Sequence, residues 1–274
     1  MFSEDSNFVI AIEVVPPAGS DAGPLLSALE SLKDLPIDGF SVATNPVAKA
    51  RMSAMALCSL IQKNTQRPAI LHCTTRDHNR LSLQGLLWGA AALGIETVLA
   101  ATGDFVALED RGMTTDVRDM DVFGLVGLAR NSGLRCGVVF DPPSGANGLE
   151  RELQRLQRKI ESGAQFVVTQ PFYDEASADS LAEALRRVEI PIWMGILPLR
   201  SPRHAEFLHR KVAGIVVPDP VRERMQRAAD PVAEGADNAR QMLAVGRRRF
   251  AGACIMPPFD RYEMLHAILG PETP

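Results

Sequence analysis

Four things are missing from this chain, and each gap removes a class of function. No apolar run reaches the ~18 residues of a membrane-crossing helix, so no membrane span is expected. The opening residues Met1, Phe2, Ser3, Glu4 and Asp5 offer no basic segment followed by an apolar core, so no secretory signal is expected. Basic residues form no long block, and 29 Lys+Arg against 33 Asp+Glu leave a net charge of −4, which argues against nucleic acid as the partner. The four cysteines, Cys58, Cys73, Cys136 and Cys254, make neither a CxxC pair nor a Cys/His cluster of zinc type, so no metal site is expected. Each sits in or beside an apolar segment, which reads as small buried hydrophobes in a reducing, cytoplasmic compartment.

What is present is alternation. Strand-like runs at residues 8–15, 40–43, 69–74, 96–101, 135–140, 165–169, 191–196 and 251–256 are separated by amphipathic helical stretches. The helices are expected at 21–32, 48–63, 79–93, 121–131, 150–162, 176–187, 202–211, 234–249 and 262–269. A further apolar piece at 213–217 is read as a short extended segment outside the count, with a helix capped by Asp219 behind it. The polar connection 105–120 reads as a mobile loop of the kind that covers a site. Eight strands in strict alternation, no linker, and a length near the ~250 residues such a fold needs predict one (β/α)8 barrel over residues 1–274. An open doubly wound sheet is the competing architecture. The GxGxxG signature that should follow its first strand is absent, and Pro16-Pro17 stands in its place.

A barrel gathers the carboxyl ends of all its strands around one mouth. The residues so delivered are Glu13, Thr44, Asn45, His72, Thr74, Arg76, Thr102, Gly103, Asp104, Gln170, Phe172, Tyr173, Asp260 and Arg261. Glu13 is the sharpest, as the only charge inside an apolar strand. Burial would raise its pKa toward the range of a general acid, and a structural ion pair with Arg76 or Arg261 is the alternative. His72, alone on a strand, reads first as a packing residue and second as a base or donor. Gln170 beside Phe172 and Tyr173 offers an amide to the edge of a planar ring and an aromatic to its face, or simply a packed loop. Lys159 reads as a solvated helix residue, and Arg247-Arg248-Arg249 as a helix end favoured by the dipole.

Six motifs in order match one family: Glu13-Val14-Val15-Pro16-Pro17, Thr74-Thr75-Arg76-Asp77-His78-Asn79, Thr102-Gly103-Asp104, Gly163-Ala164 through Thr169-Gln170-Pro171-Phe172-Tyr173-Asp174, Gly195-Ile196-Leu197-Pro198 and Arg261-Tyr262-Glu263-Met264. The chain resembles methylenetetrahydrofolate reductase along essentially its whole length. The resemblance implies a flavoprotein barrel in which reduced nicotinamide, NADH or NADPH, reduces 5,10-methylenetetrahydrofolate to 5-methyltetrahydrofolate through FAD, a step of one-carbon metabolism and methionine biosynthesis. It makes Glu13 the general acid, and Asp104, Gln170, Phe172 and Arg261 the folate contacts. It sets the flavin against Thr44, His72, Thr102, Gly103, Asp104, Phe140 and Lys159. Four departures concern the flavin. Ala43 precedes Thr44-Asn45 where the family often has a threonine, Thr102 stands for an arginine, Phe140 for a tyrosine, and the histidine that follows that tyrosine is missing. Direct hydride transfer without flavin, or a folate-binding methyl-transfer component that needs a partner flavoprotein, are the other readings. A homo-oligomer is compatible with all of them.

Overall fold

The structure is a computed structural model that describes residues 8–141, 148–212 and 214–271. Positions 1–5, 142–144, 213 and 272–274, which the sequence reading used, lie outside these. Eight parallel strands close into a barrel in sequence order, each hydrogen-bonded to the next and β8 to β1. The strands are β1 (Val9–Val14), β2 (Gly39–Val42), β3 (Ala69–Thr74), β4 (Thr97–Ala101), β5 (Arg135–Phe140), β6 (Phe166–Pro171), β7 (Ile192–Ile196) and β8 (Gly252–Ile255). Between and after them run α1 (Gly23–Glu30), α2 (Ala54–Thr65), α3 (Arg80–Ala92), α4 (Val122–Asn131), α5 (Leu149–Glu161), α6 (Glu175–Ala184), α7 (Pro202–Lys211), α8 (Asp219–Arg227), α9 (Pro231–Arg249) and α10 (Met264–Leu269). The expected (β/α)8 barrel is what forms.

Strand alternation divides the core in two. Ile10, Ile12 and Val14 of β1 pack outward with helix residues such as Leu29, Leu57 and Leu265. Val9 and Ala11 pack inward with Ile70, Leu99, Phe166, Val168, Trp193 and Cys254, a cluster that contains no helix residue and fills the lumen. Phe166 and Trp193 stack there at 4.5 Å between ring centroids. Gly137, the register partner of Phe166, leaves room for the ring, because a Cβ at that position would run into it.

Several helix boundaries differ from expectation, for local reasons. The helix expected from residue 48 starts at Ala54, where the Ser53 hydroxyl caps the Ala56 amide. Ahead of it Asn45, Val47 and Ala48 adopt left-handed backbone, which no helix accommodates. Asp219 does not cap α8. It lies in the first turn and pairs with Arg222, and Pro218 holds the cap position. Asp230 caps α9 and starts it at Pro231 rather than 234. Residues 214–217 join no strand, and Ile215 and Val217 are buried against α7 and α8. The connection 105–120 is laid against the rim. Arg118 donates to the carbonyls of Thr102 and Gly103 and covers the Phe105 ring at 4.4 Å. All four cysteines are unpaired and buried. Among the described residues no helix is long and apolar enough to cross a membrane, and no group of three or more His, Cys, Asp or Glu side chains could hold a metal.

Candidate active site

The period of two that sends Val9 and Ala11 into the lumen sends Glu13 there as well. Among the described residues no hydrogen bond or ion pair reaches its carboxyl. The two arginines that could have neutralised it are engaged elsewhere, Arg76 with Asp77 and Arg261 with Glu263. Enclosed by protein and left without a compensating charge, the carboxyl rises from 4.5 to about 7. Its register partner on β2 is Ser41, whose Oγ lies 2.7 Å from His72 Nε2 on β3. Burial lowers the imidazole of His72 to about 4, so it is neutral near pH 7.

His72 also borders the mouth cavity. This space of about 300 Å3 is lined by Thr44, Thr74, Arg76, Thr102, Gly103, Asp104, Asp141, Arg155, Lys159 and Gln170. Glu13 is not among its lining residues. Its register partner Ser41 is bonded to His72, which does line the cavity. Gly103 carries φ +80, and a Cβ there would come within 3.1 Å of Thr74 Cβ, so only glycine turns the chain here and presents Asp104. The Asp104 carboxylate is exposed and accepts the Val47 amide at 2.7 Å. Gln170 lies at the end of β6, and its Nε2 donates to Asp141 Oδ1 at 2.6 Å, while among the described residues no donor reaches its side-chain carbonyl oxygen.

Lys159 overturns its sequence reading as a solvated residue. With Glu152 and Leu156 it forms the buried face of α5, and its Nζ donates to the Val139 carbonyl at 2.5 Å. Burial first, then the neighbouring Arg155 guanidinium, lower the ammonium to about 8. Arg155, one turn earlier on α5, reaches Thr102 Oγ1 at 3.3 Å.

Three expected contacts stand apart from the cavity. Phe140 is buried in the outer core, because alternation turns Val139 and not Phe140 toward the lumen. Phe172 lines a separate apolar cavity of about 330 Å3 with Leu149, Pro171, Leu181 and Val216. Arg261 is exposed and paired with Glu263 at 2.9 Å on the surface. Three residues that sequence reasoning passed over do belong to this site: Ser41, Asp141 and Arg155. For Arg155 a signal existed, since it lies four residues before Lys159 and so on the same helix face.

A sequence profile of the family described as methylenetetrahydrofolate reductase matches residues 2–246 of the 274. Methylenetetrahydrofolate reductase 1 of Schizosaccharomyces pombe is 25% identical over 169 residues, 59% of this chain and 28% of that protein. The 5,10-methylenetetrahydrofolate reductase of Pectobacterium carotovorum is 24% identical over 195 residues, 70% of this chain and 64% of its own length. The chain thus spans less than two thirds of either curated relative. Among solved structures, a Clostridium thermocellum protein that binds two copies of 5-methyl-5,6,7,8-tetrahydrofolic acid superposes with TM-score 0.68 at 14% identity, covering 96% of this chain and 93% of that one. With a profile match along nearly all of a barrel whose first strand carries a lone, half-buried acid, the chain belongs to the methylenetetrahydrofolate reductase family.

Proposed function

We propose that the protein reduces 5,10-methylenetetrahydrofolate to 5-methyltetrahydrofolate, with NADH or NADPH as hydride source and Glu13 as general acid. The observation that carries this reading is the unpaired Glu13 carboxyl, raised to about 7 in the lumen. An acid that still holds its proton near neutral pH can protonate a ring nitrogen of the bridged folate. The C–N bond then breaks, and the methylene carbon becomes an iminium that accepts hydride. A carboxylate already in an ion pair could not do this, and a binding module gains little from an uncompensated buried acid.

The donor set at the mouth fits a flavin. Lys159 gives one N–H to a backbone carbonyl and, among the described residues, meets no carboxylate within bonding distance, so its remaining donors can serve an acceptor-rich ring edge or an anion. His72, Thr102, Arg155 and Lys159 would hold the cofactor. Bound FAD would supply the relay of hydride from nicotinamide to folate. Gln170, with its amide nitrogen fixed by Asp141, would accept from the pterin edge, and Asp104 would accept from its N–H groups. In the Clostridium thermocellum protein this barrel fold binds 5-methyltetrahydrofolic acid, which supports a folate as the ligand class. Four buried free cysteines support a cytoplasmic setting.

The test is turnover of 5,10-methylenetetrahydrofolate with NADH and NADPH by wild type and Glu13→Gln, with the absorbance spectrum of fresh protein recorded alongside. A loss of at least ~100-fold in kcat for the variant is expected, in line with removal of a general acid. Full activity in a colourless preparation would favour direct hydride transfer from the nicotinamide. Folate binding without turnover by any donor would favour a subunit that needs a partner flavoprotein.

A further inference from the structure

The turn between β2 and α2 carries strained backbone, closed within itself by the Ala48 amide on the Asn45 carbonyl and the Lys49 amide on the Pro46 carbonyl. Asn45, Val47 and Ala48 have φ of 40°, 50° and 56°. Asparagine tolerates this region, but a β-branched valine is a real outlier there. Such outliers persist only where the surroundings over-determine them, and they gather at ligand clamps and switch regions. Burial of the valine side chain is not the cause, because Val47 is 68% exposed. The start of the turn is well anchored. Buried Arg76 donates to the Asn45 carbonyl at 2.9 Å and clasps Asp77 through Nε at 2.6 Å, and the Asn45 side chain bridges Asp77 and the Arg51 amide. Past Asn45, the contact that holds the Val47 amide is the Asp104 carboxylate, at 2.7 Å. Arg76 also donates to the Asp104 carbonyl at 3.3 Å, so one buried guanidinium fixes both sides of this contact. Thr44, Pro46 and Asp104 all line the mouth cavity.

We propose that this turn is a placeholder. In the free protein the strained Val47 amide occupies the Asp104 carboxylate, and a planar heterocycle with adjacent N–H donors displaces it on binding. Little free energy is lost in the exchange, because the strain of the left-handed valine is released as the ligand takes over the hydrogen bond. The inference rests on the reading of Asp104 as a ligand-facing carboxylate and adds Val47 as a residue that sets affinity without touching the ligand.

Glycine adopts the Val47 conformation without strain, so Val47→Gly should tighten the placeholder and weaken the ligand. The experiment is a double-mutant cycle in chemical unfolding with wild type, Val47→Gly, Asp104→Ala and the double variant, together with calorimetric titration of 5-methyltetrahydrofolate into wild type and Val47→Gly. The change in unfolded-chain entropy caused by glycine is common to both backgrounds and cancels in the cycle. We expect Val47→Gly to be more favourable to stability with Asp104 present than in the Asp104→Ala background, and to raise the Kd for 5-methyltetrahydrofolate by about fivefold. An equal effect of glycine in both backgrounds would overturn the proposal, whatever the ligand does. So would unchanged or tighter binding of the folate by Val47→Gly. Coupling in the cycle with no folate binding by wild type would instead bring down the folate reading, and would leave the turn as a permanent partner of Asp104 with no exchange.

Discussion

Ser41 Oγ and His72 Nε2 lie 2.7 Å apart on the lumen side of β2 and β3, and Ser41 is the register partner of Glu13. The polar pair satisfies itself, and among the described residues the neighbouring acid receives no hydrogen bond. Two titratable groups, one carboxyl and one imidazole, thus flank Ser41, and desolvation pushes each toward its neutral form, with pKa values of about 7 and about 4.

That arrangement predicts a specific dependence of stability on pH. The carboxyl of Glu13 is ordinary in the unfolded chain and raised in the native one, so its contribution is undiminished below about pH 4.5 and is lost as pH rises through about 7. The loss amounts to at most about 3 kcal/mol. His72 acts in the opposite direction, since its depressed pKa removes stability as pH falls from 6.5 through about 4. Thermal unfolding of wild type and Glu13→Gln from pH 4 to 8 separates the two. The variant should match wild type near pH 4.5 and exceed it progressively up to pH 7–8.

Lys159 should show the converse signature. Its native pKa of about 8 lies below the 10.5 of a free lysine, so the penalty for its buried charge is present below pH 8 and fades as pH rises through 10.5. Lys159→Met should therefore raise the melting temperature at pH 7 but not above pH 10.5. The same variant should retain flavin about tenfold more weakly, as expected on losing a charge-assisted hydrogen bond. The flavin-to-protein absorbance ratio after gel filtration measures this.

Two glycines within helices should respond in opposite ways. A Cβ at Gly235 in α9 would collide with the Leu199 carbonyl, and backbone on both sides cannot move aside cheaply. Gly235→Ala should cost about 3 kcal/mol in denaturant unfolding. At Gly127 in α4 nothing stands within 4 Å of the added Cβ, so Gly127→Ala should stabilise by about 0.5–1 kcal/mol through helix propensity.

The strands were legible from the sequence because a parallel barrel buries both strand faces, and eight continuous apolar runs cannot hide. Glu13 was legible for the same reason, as a lone charge in such a run. Lys159 was not, because an Arg-Lys pair on a charged helix resembles a solvent face. The helical spacing of Glu152, Leu156 and Lys159 was the clue that they share one buried side. Phe140 was set against the flavin by the family resemblance alone, whereas strict strand alternation puts Val139 at the mouth and Phe140 in the outer core. Ser41, Asp141 and Val47 could not have been found this way. Their roles arise from contacts across 31, 29 and 57 residues of chain, which only the closed barrel brings together.

The central claim is that Glu13 delivers the proton, and the pH dependence of 5,10-methylenetetrahydrofolate turnover tests it most directly. With saturating NADH or NADPH, wild-type kcat should fall as pH rises through about 7, and this limb should be absent from the weak residual rate of Glu13→Gln. A Glu13→Gln variant that turns over at the wild-type rate with the same descending limb would contradict the account.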